Sequence, residues 1–345
     1  GGHQIGGRRN ILINGAMQVA QRGTSLSIAH DGTTQGYLVD RFRISFANTD
    51  QIDGTFTQVA DHPISANGKS LKWTTGTAES AIDSNEYLYF AQIIEAQNLQ
   101  HLNYGNSNAK TTTLSFYVKS SITGTYAVGL YKADSTVRIH NQTYTISSAN
   151  TWEKKTVTFV GDTDSSAGIV NDNGMGFYVS WHLAAGTGYT SSDATSGWVD
   201  YAATKWANGQ GTNAVATTAG ATWQMTECQF EVGSQATPFE HRSFGEELAL
   251  CQRYFQYHVS TSTAARYYAD QYSSGTLVLD QHHSPMRAVA SGTVIGTWII
   301  SNITGQPSLY VGTEFSHYLA RSVSSTGRAY FYAGQNDGVS LDAEL

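Results

Sequence analysis

Several stretches place chemistry-bearing residue types at suggestive spacings. Asn67-Gly68-Lys69-Ser70 has the ending of a phosphate loop, but the earlier glycine such a loop needs falls at Pro63, so the match fails. Gly209-x-Gly211-x-x-Ala214 echoes a dinucleotide fingerprint, yet it sits in a glycine-rich loop with no strand–helix–strand context. Asp162-x-Asp164-x-Ser166 resembles the start of a calcium loop. Its sixth position is Ala167 where glycine is needed and its twelfth is Asn173 where glutamate is needed, so a solvated turn is expected. His282-His283 has no cysteine or HExxH helix nearby and reads as exposed strand-end polarity. Cys228 and Cys251 fall on apolar faces and read as reduced, buried small hydrophobes. There is no GxSxG elbow, and the acidic residues are thinly scattered. No enzyme activity, cofactor or metal is expected.

Aromatic residues carry the stronger signal. Tyr117, Tyr131 and Tyr178 have the polar-face parity of their strands. An aromatic face stacks on the apolar face of a sugar ring, and Asn, Gln and Thr offer neutral hydrogen bonds to hydroxyls. The same tyrosines would also suit strand propensity and subunit packing. Tyr117 and Tyr178 on the strands, with Trp198 and Trp206 in a long loop, are the candidate carbohydrate-binding residues. Trp152 and Trp223 read as core.

The elements that would position these residues are strands. Residues 40–46 put Phe42, Ile44 and Phe46 on one face and Arg41, Arg43 and Ser45 on the other. Leu114, Phe116 and Val118 alternate in the same way. So do Tyr126, Val128 and Leu130, then Val157 and Phe159, then Phe177, Val179, Trp181 and Leu183. Each run ends in a Gly, Asn, Asp or Ser cluster, the pattern of half-buried strands in a sandwich. In 223–233, Trp223 and Met225 share one parity, whereas Cys228, Phe230 and Val232 share the other. A bulge near Thr226-Glu227 would turn both sets to the core. The stretch 186–220, with Tyr189, Trp198, Tyr201 and Trp206, is too long for a plain connection and reads as functional or self-packed.

One helix is evident. Ser243 and Glu246 form a capping box. Phe244, Leu248, Cys251 and Phe255 make one apolar stripe, and Leu250, Tyr254 and Tyr257 a second. A helix apolar on two sides packs between two bodies. The organisation expected is therefore a jelly-roll domain over 1–242, a linking helix over 243–257 and a C-terminal β-rich domain over 258–345. Strands are expected near 275–280, 288–303, 308–311 and 327–332.

Composition agrees. Of 345 residues only 14% are charged, against about 25% in an average globular chain. The net charge of −7 offers no basic excess for nucleic acid, two cysteines make no disulfide scaffold, and no apolar stretch is long enough to insert in a membrane. No secretory signal is visible, and the start at Gly1-Gly2-His3 without Met suggests a processed or truncated form.

The run Asn10-Ile11-Leu12-Ile13-Asn14-Gly15-Ala16-Met17-Gln18-Val19-Ala20-Gln21-Arg22-Gly23-Thr24-Ser25 resembles the opening of a group of bacteriophage tail-fibre and related virion proteins of the marine-phage type. Asp40-Arg41-Phe42 fits the group's D-R-W/F strand. Thr151-Trp152-Glu153 with Lys155-Thr156-Val157-Thr158-Phe159 looks like a strand of a jelly-roll carbohydrate-binding module. The strongest match runs from Trp223-Gln224-Met225-Thr226 through Gln229–Gly233 and Ala236–Ser243 to Cys251-Gln252-Arg253-Tyr254-Phe255. Asp342-Ala343-Glu344-Leu345 is similar to the group's chain end.

This resemblance spans nearly the whole chain. It implies a jelly-roll sandwich like a carbohydrate-binding module, a linking helix and a terminal β unit, in a virion appendage that is usually homotrimeric. Such proteins carry a docking segment before the Asn10–Gly15 motif. Only nine residues precede it here, so that segment is missing or anchoring is done differently.

The sequence-level expectation is thus an all-β structural and receptor-binding component of a phage tail fibre. It would contact host cell-surface polysaccharide without catalysis, partnered by other virion tail proteins. The alternatives are a head fibre or capsid decoration protein and, with less support, a glycan-degrading tailspike. The virion is the expected location, after synthesis in the host cytoplasm. A homotrimer is expected partly because strands near 275–279, 293–300 and 329–332 carry apolar or aromatic residues on both parities, leaving a face to cover, with Trp298 and Tyr330 on it. The number three comes from the resemblance alone.

Overall fold

The computed structural model describes residues 8–29, 34–49, 51–212, 215–259, 265–271, 276–301, 304–306, 308–313, 316–322, 327–333 and 337–345. Ala214, Gly275, Asn302 and Ile303 lie outside them, as do the side chains of His282 and Tyr330. The chain forms two compact units, 1–247 and 248–345.

The first unit is an antiparallel jelly-roll sandwich. Its strands are β1 (Ser25–Ile28), β2 (Thr34–Tyr37), β3 (Arg43–Ala47), β4 (Gly54–Val59), β5 (Ser70–Thr75), β6 (Tyr87–Glu95), β7 (Thr112–Ser120), β8 (Gly124–Lys132), β9 (Arg138–Ile146), β10 (Glu153–Phe159), β11 (Met175–Ala185), β12 (Val199–Asp200) and β13 (Thr222–Val232). One sheet has six strands in the order β1-β4-β5-β13-β7-β10, and the other seven in the order β12-β9-β8-β11-β6-β3-β2. Alternating apolar residues meet between the sheets, where Phe42, Phe46, Trp73, Phe90, Phe116, Trp181 and Trp223 are all fully buried.

The parity change in β13 is a bulge. Its register against β7 shifts between Thr226 and Gln229, Glu227 has φ 49°, and Trp223, Met225, Cys228 and Phe230 are all buried. Val232 is 43% exposed, because the core ends one turn of the pleat earlier. Trp152 is not core either. It precedes β10 at the surface, where its indole N–H donates to Asp61 and Lys119 lies 5.0 Å from its ring centre.

The Asn10–Gly15 motif is a clamp on this bulge. Asn10 Nδ2 donates to the Cys228 carbonyl at 2.9 Å, and Asn10 Oδ1 accepts from Phe230 N–H at 3.0 Å. Asn14, with φ 60°, donates to the Val19 and Asp40 carbonyls and accepts from Val19 N–H. Gly15 packs so closely that a Cβ would meet the Cys228 carbonyl oxygen at 2.1 Å.

The helix runs over Phe244–Gln252, with Ser243 Oγ accepting from Glu246 N–H at 3.3 Å. It is shorter than the spacing suggested. Phe244 is 61% exposed, Leu248 half-buried and Cys251 buried, and a strand starts at Phe255. Cys228 and Cys251 are free thiols.

The second unit contains β14 (Phe255–Val259), β15 (Ala265–Gln271), β16 (Thr276–His282), β17 (Ser291–Ile295), β18 (Ile299–Ser301), β19 (Ser308–Thr313), β20 (Ser316–Ser322), β21 (Gly327–Ala333) and β22 (Gly338–Asp342). They form three three-stranded antiparallel sheets, β14-β22-β17, β15-β21-β18 and β16-β20-β19. The single strand expected over 288–303 is two, divided at Gly296 with φ 77°. Trp298 is buried within its own chain and bonded to Gln306, so it adds nothing to an open face. His283 is also buried, not exposed.

Candidate functional site

The long stretch after β11 folds back over the outer face of the seven-stranded sheet. Its backbone is tied down at several points. Ala207 N–H donates to Tyr189 O, Tyr201 N–H to Val137 O, and Asn141 Nδ2 to Lys205 O at 2.7 Å. This places Trp206 over the middle strands, in a second apolar cluster with Tyr89, Ala91, Ile139, Ala194 and Ala207.

Beside Trp206 the loop and sheet enclose a basin of about 360 Å³. The sheet contributes Tyr87 and Tyr89 from β6, Tyr131 from β8, and Met175 and Tyr178 from β11. The loop contributes Tyr189, Tyr201, Ala203 and Trp206. Neighbouring rings meet edge to face: Tyr131 and Tyr178 at 5.7 Å between centres, Tyr131 and Tyr201 at 5.0 Å, Tyr131 and Trp206 at 5.5 Å, Tyr89 and Trp206 at 5.4 Å.

Behind the wall lies Arg43. Its guanidinium donates to Tyr178 Oη at 3.0 Å, Tyr89 Oη at 3.3 Å and Gln35 Oε1 at 2.9 Å, fixing two of the phenols. Burial pushes the Tyr87 phenol up to about 12 and raises Tyr89, Tyr131 and Tyr201 as well, so these groups stay protonated at neutral pH. Beneath Trp206, with rings perpendicular at 5.4 Å, His182 is fully buried, and burial lowers it to about 3. Among the described residues no carboxylate lines the basin. It is a chamber of aromatic faces and phenolic hydroxyls backed by the Arg43 guanidinium, suited to stacking and hydrogen bonding.

Of the four candidate residues, the fold brings two together here, Tyr178 and Trp206. Trp198 is elsewhere. It stacks on Phe177 at 5.9 Å, meets Tyr104 edge-on at 5.5 Å and donates to the Val160 carbonyl at 2.7 Å, so its indole is committed to packing. Tyr117 lies on the other sheet, in β7, and lines a separate cleft beside Lys154. Tyr131 had the right parity. Tyr87 and Tyr89 carried a signal too, the alternation Tyr87-Leu88-Tyr89-Phe90.

The Asp162–Ser166 turn is occupied by an arginine. Arg138 Nε meets Asp162 at 2.6 Å, and Nη1 meets Asp164 at 3.5 Å and Asp200 at 2.6 Å. Among the described residues no group of three His, Cys, Asp or Glu is placed to hold a metal, and no helix is long and apolar enough to cross a membrane.

No family model matches the chain, and no curated protein does. Solved structures give weak likenesses. The enzymatically active domain of tailspike protein 4 of bacteriophage CBA120 is 11% identical, over 65% of this chain and 21% of that one, with a TM-score of 0.34. The family 11 carbohydrate-binding module of a Clostridium thermocellum cellulosomal cellulase is 8% identical, over 66% of this chain and 96% of the module, with a TM-score of 0.30. The baseplate tripod of bacteriophage Tuc2009 is 12% identical, over 75% of this chain and 73% of that one, with a TM-score of 0.28. The chain spans about a fifth of the length of the tailspike domain it matches. At these scores the likenesses carry no argument about activity.

Proposed function

We propose that this chain is a non-catalytic, glycan-binding component of a phage virion appendage, of the tail-fibre kind, and that host surface sugar enters the aromatic basin. The observation that carries the reading is the lining: six tyrosines and Trp206 converge on one cavity, with no charged side chain among them. Aromatic faces and phenolic hydroxyls are the chemistry an uncharged sugar ring needs. Glycoside hydrolysis by the usual route needs two carboxyl groups flanking the bond, and the described residues of the basin lining offer none.

The appendage part of the proposal is supported by the resemblance of Asn10–Ser25 and of 223–255 to tail-fibre proteins. Homotrimeric assembly belongs to the same reading, since three copies would multiply weak single-site contacts. The test is adsorption of the purified chain to host cells and to a glycan array, comparing the wild type with Tyr178→Ala. Loss of binding by about tenfold or more is expected. Unchanged binding by a folded Tyr178→Ala protein would remove the basin from the proposal.

A further inference from the structure

The outer face of the six-stranded sheet holds a second and larger cleft, of about 750 Å³, within the size range of ligand sites. At its base is Glu227, 7% exposed, projecting from the β13 bulge. Its left-handed backbone, φ 49°, is a conformation that glutamate seldom adopts. The bulge turns Cys228 into the core and leaves Glu227 on the opposite face, beside the strand that carries Tyr117, paired with Thr226. A buried carboxylate thus faces a cleft larger than the aromatic basin.

His62 supplies part of it. Its Nδ1 accepts from the backbone N–H groups of Ile64 at 3.2 Å and Ser65 at 3.1 Å. The ring proton is therefore on Nε2, which faces Glu227 Oε1 at 3.4 Å. Gly68 backs the ring so closely that a Cβ would meet it at 2.4 Å. The carboxylate is thus held by a neutral imidazole in a fixed tautomer and presented to the cleft. Tyr117 forms an adjoining wall, with Lys154 Nζ 5.9 Å from its ring centre, and Phe239 adds an apolar face.

Charge decides the class of ligand. The cations Lys154 and Arg242 are matched by the carboxylates Glu227 and Glu247, and Arg242 and Glu247 are bonded to each other at 3.2 Å. Neither an acidic nor a basic ligand gains from such a lining. A ligand with hydroxyl donors and an apolar ring face does, because a buried carboxylate is an acceptor-only group that makes strong hydrogen bonds.

We propose that this cleft is a second carbohydrate site, independent of the basin on the opposite sheet, in which Glu227 accepts hydroxyl hydrogen bonds from an uncharged sugar stacked on Tyr117.

The test uses the full chain with the basin disabled by Tyr178→Ala and, in that background, Glu227→Gln or Tyr117→Ala. The probe is an array of uncharged, uronic-acid and sulfated oligosaccharides, with thermal melting as the control for folding. The Tyr178→Ala protein, weakened by loss of the basin, is expected to keep a residual binding to uncharged oligosaccharides, and either second substitution to weaken that remainder by a further factor of about ten, the worth of one charge-assisted hydrogen bond or one stacked ring. Tyr117→Ala alters a half-buried surface ring, so it keeps the test open if Glu227→Gln fails to fold. Three results would each overturn the proposal: no residual binding once the basin is disabled, residual binding indifferent to both substitutions, or binding confined to the charged oligosaccharides.

Discussion

The Arg138 guanidinium reaches the Asp200 carboxylate at 2.6 Å, and with the same group grips Asp162 at 2.6 Å and the Trp198 carbonyl at 3.2 Å. Asp200 is next to Tyr201, a wall of the basin. One cation on β9 therefore adds a side-chain latch to the strand pairing of β12 with β9 and the Tyr201 N–H to Val137 O bond.

Arg138→Ala is expected to leave Asp162 buried without its partner and to cost about 3–5 kcal/mol by urea unfolding. Asp200→Asn touches a mostly exposed carboxylate and is expected to cost under about 1 kcal/mol while weakening sugar binding at the basin. Equal effects of Asp200→Asn and wild type on binding would show that the latch does not position Tyr201.

Trp206 is 8% exposed and touches five aromatic rings of the sheet and loop. Trp206→Ala is expected to lose about 3–5 kcal/mol and sugar binding together. Tyr178→Ala, at the half-buried wall, is expected to lose binding at a smaller cost in stability. Chemical denaturation beside binding data separates the two, and a reversed order of stabilities would contradict the placement of Trp206.

His140 and His182 are buried and neutral, lowered to about 4 and about 3 by burial. The unfolded chain takes up protons below about pH 6.5, while the folded chain does so only near those lower values. Their contribution is thus complete above pH 6.5 and is lost as pH falls toward 3–4, His140 alone withdrawing about 3 kcal/mol. Melting temperature should fall steadily from pH 7 to 4, and less so in His140→Asn. Identical pH profiles for the two proteins would refute this.

Gly15→Ala would force a methyl group into the Cys228 carbonyl, and Asn14→Ala would strip three buried backbone partners. Each is expected to cost roughly 1–3 kcal/mol, read from the urea midpoint. A neutral Gly15→Ala would mean that the motif does not pack closely on the bulge, and a neutral Asn14→Ala that its bonds to Val19 and Asp40 do not hold the turn.

The strands were legible because a sandwich buries one face of each, which writes a period of two into the sequence. The bulge was legible for the same reason, since Trp223 and Cys228 cannot both be core without it. The basin was not. Tyr131 and Tyr178 become neighbours only through the pairing of β8 with β11, and Tyr189 and Trp206 only through a loop whose path depends on Arg138 and Asn141. The end of the helix was misread because Tyr254, Phe255 and Tyr257 satisfy helical spacing, while Phe255 and Tyr257 also alternate as a strand, and pairing with β22 decides it.

The contacts around Asn10 also set a path for mechanical force. Glu240 receives the N–H groups of Arg9 and Asn10 at 3.0 and 2.9 Å, Arg242 reaches the Asn10 and Leu12 carbonyls, and Glu247 receives Asn14 N–H at 2.5 Å. The first and last segments of the sandwich are thus fastened to each other. Tension entering near residue 9 and leaving near residue 247 would meet this short strap of polar bonds together with the bonds from Asn10 and Ile11 to β13 and from Ile13 to Gln92 on β6. A pull strong enough to free the first segment would have to break the strap and these strand contacts together.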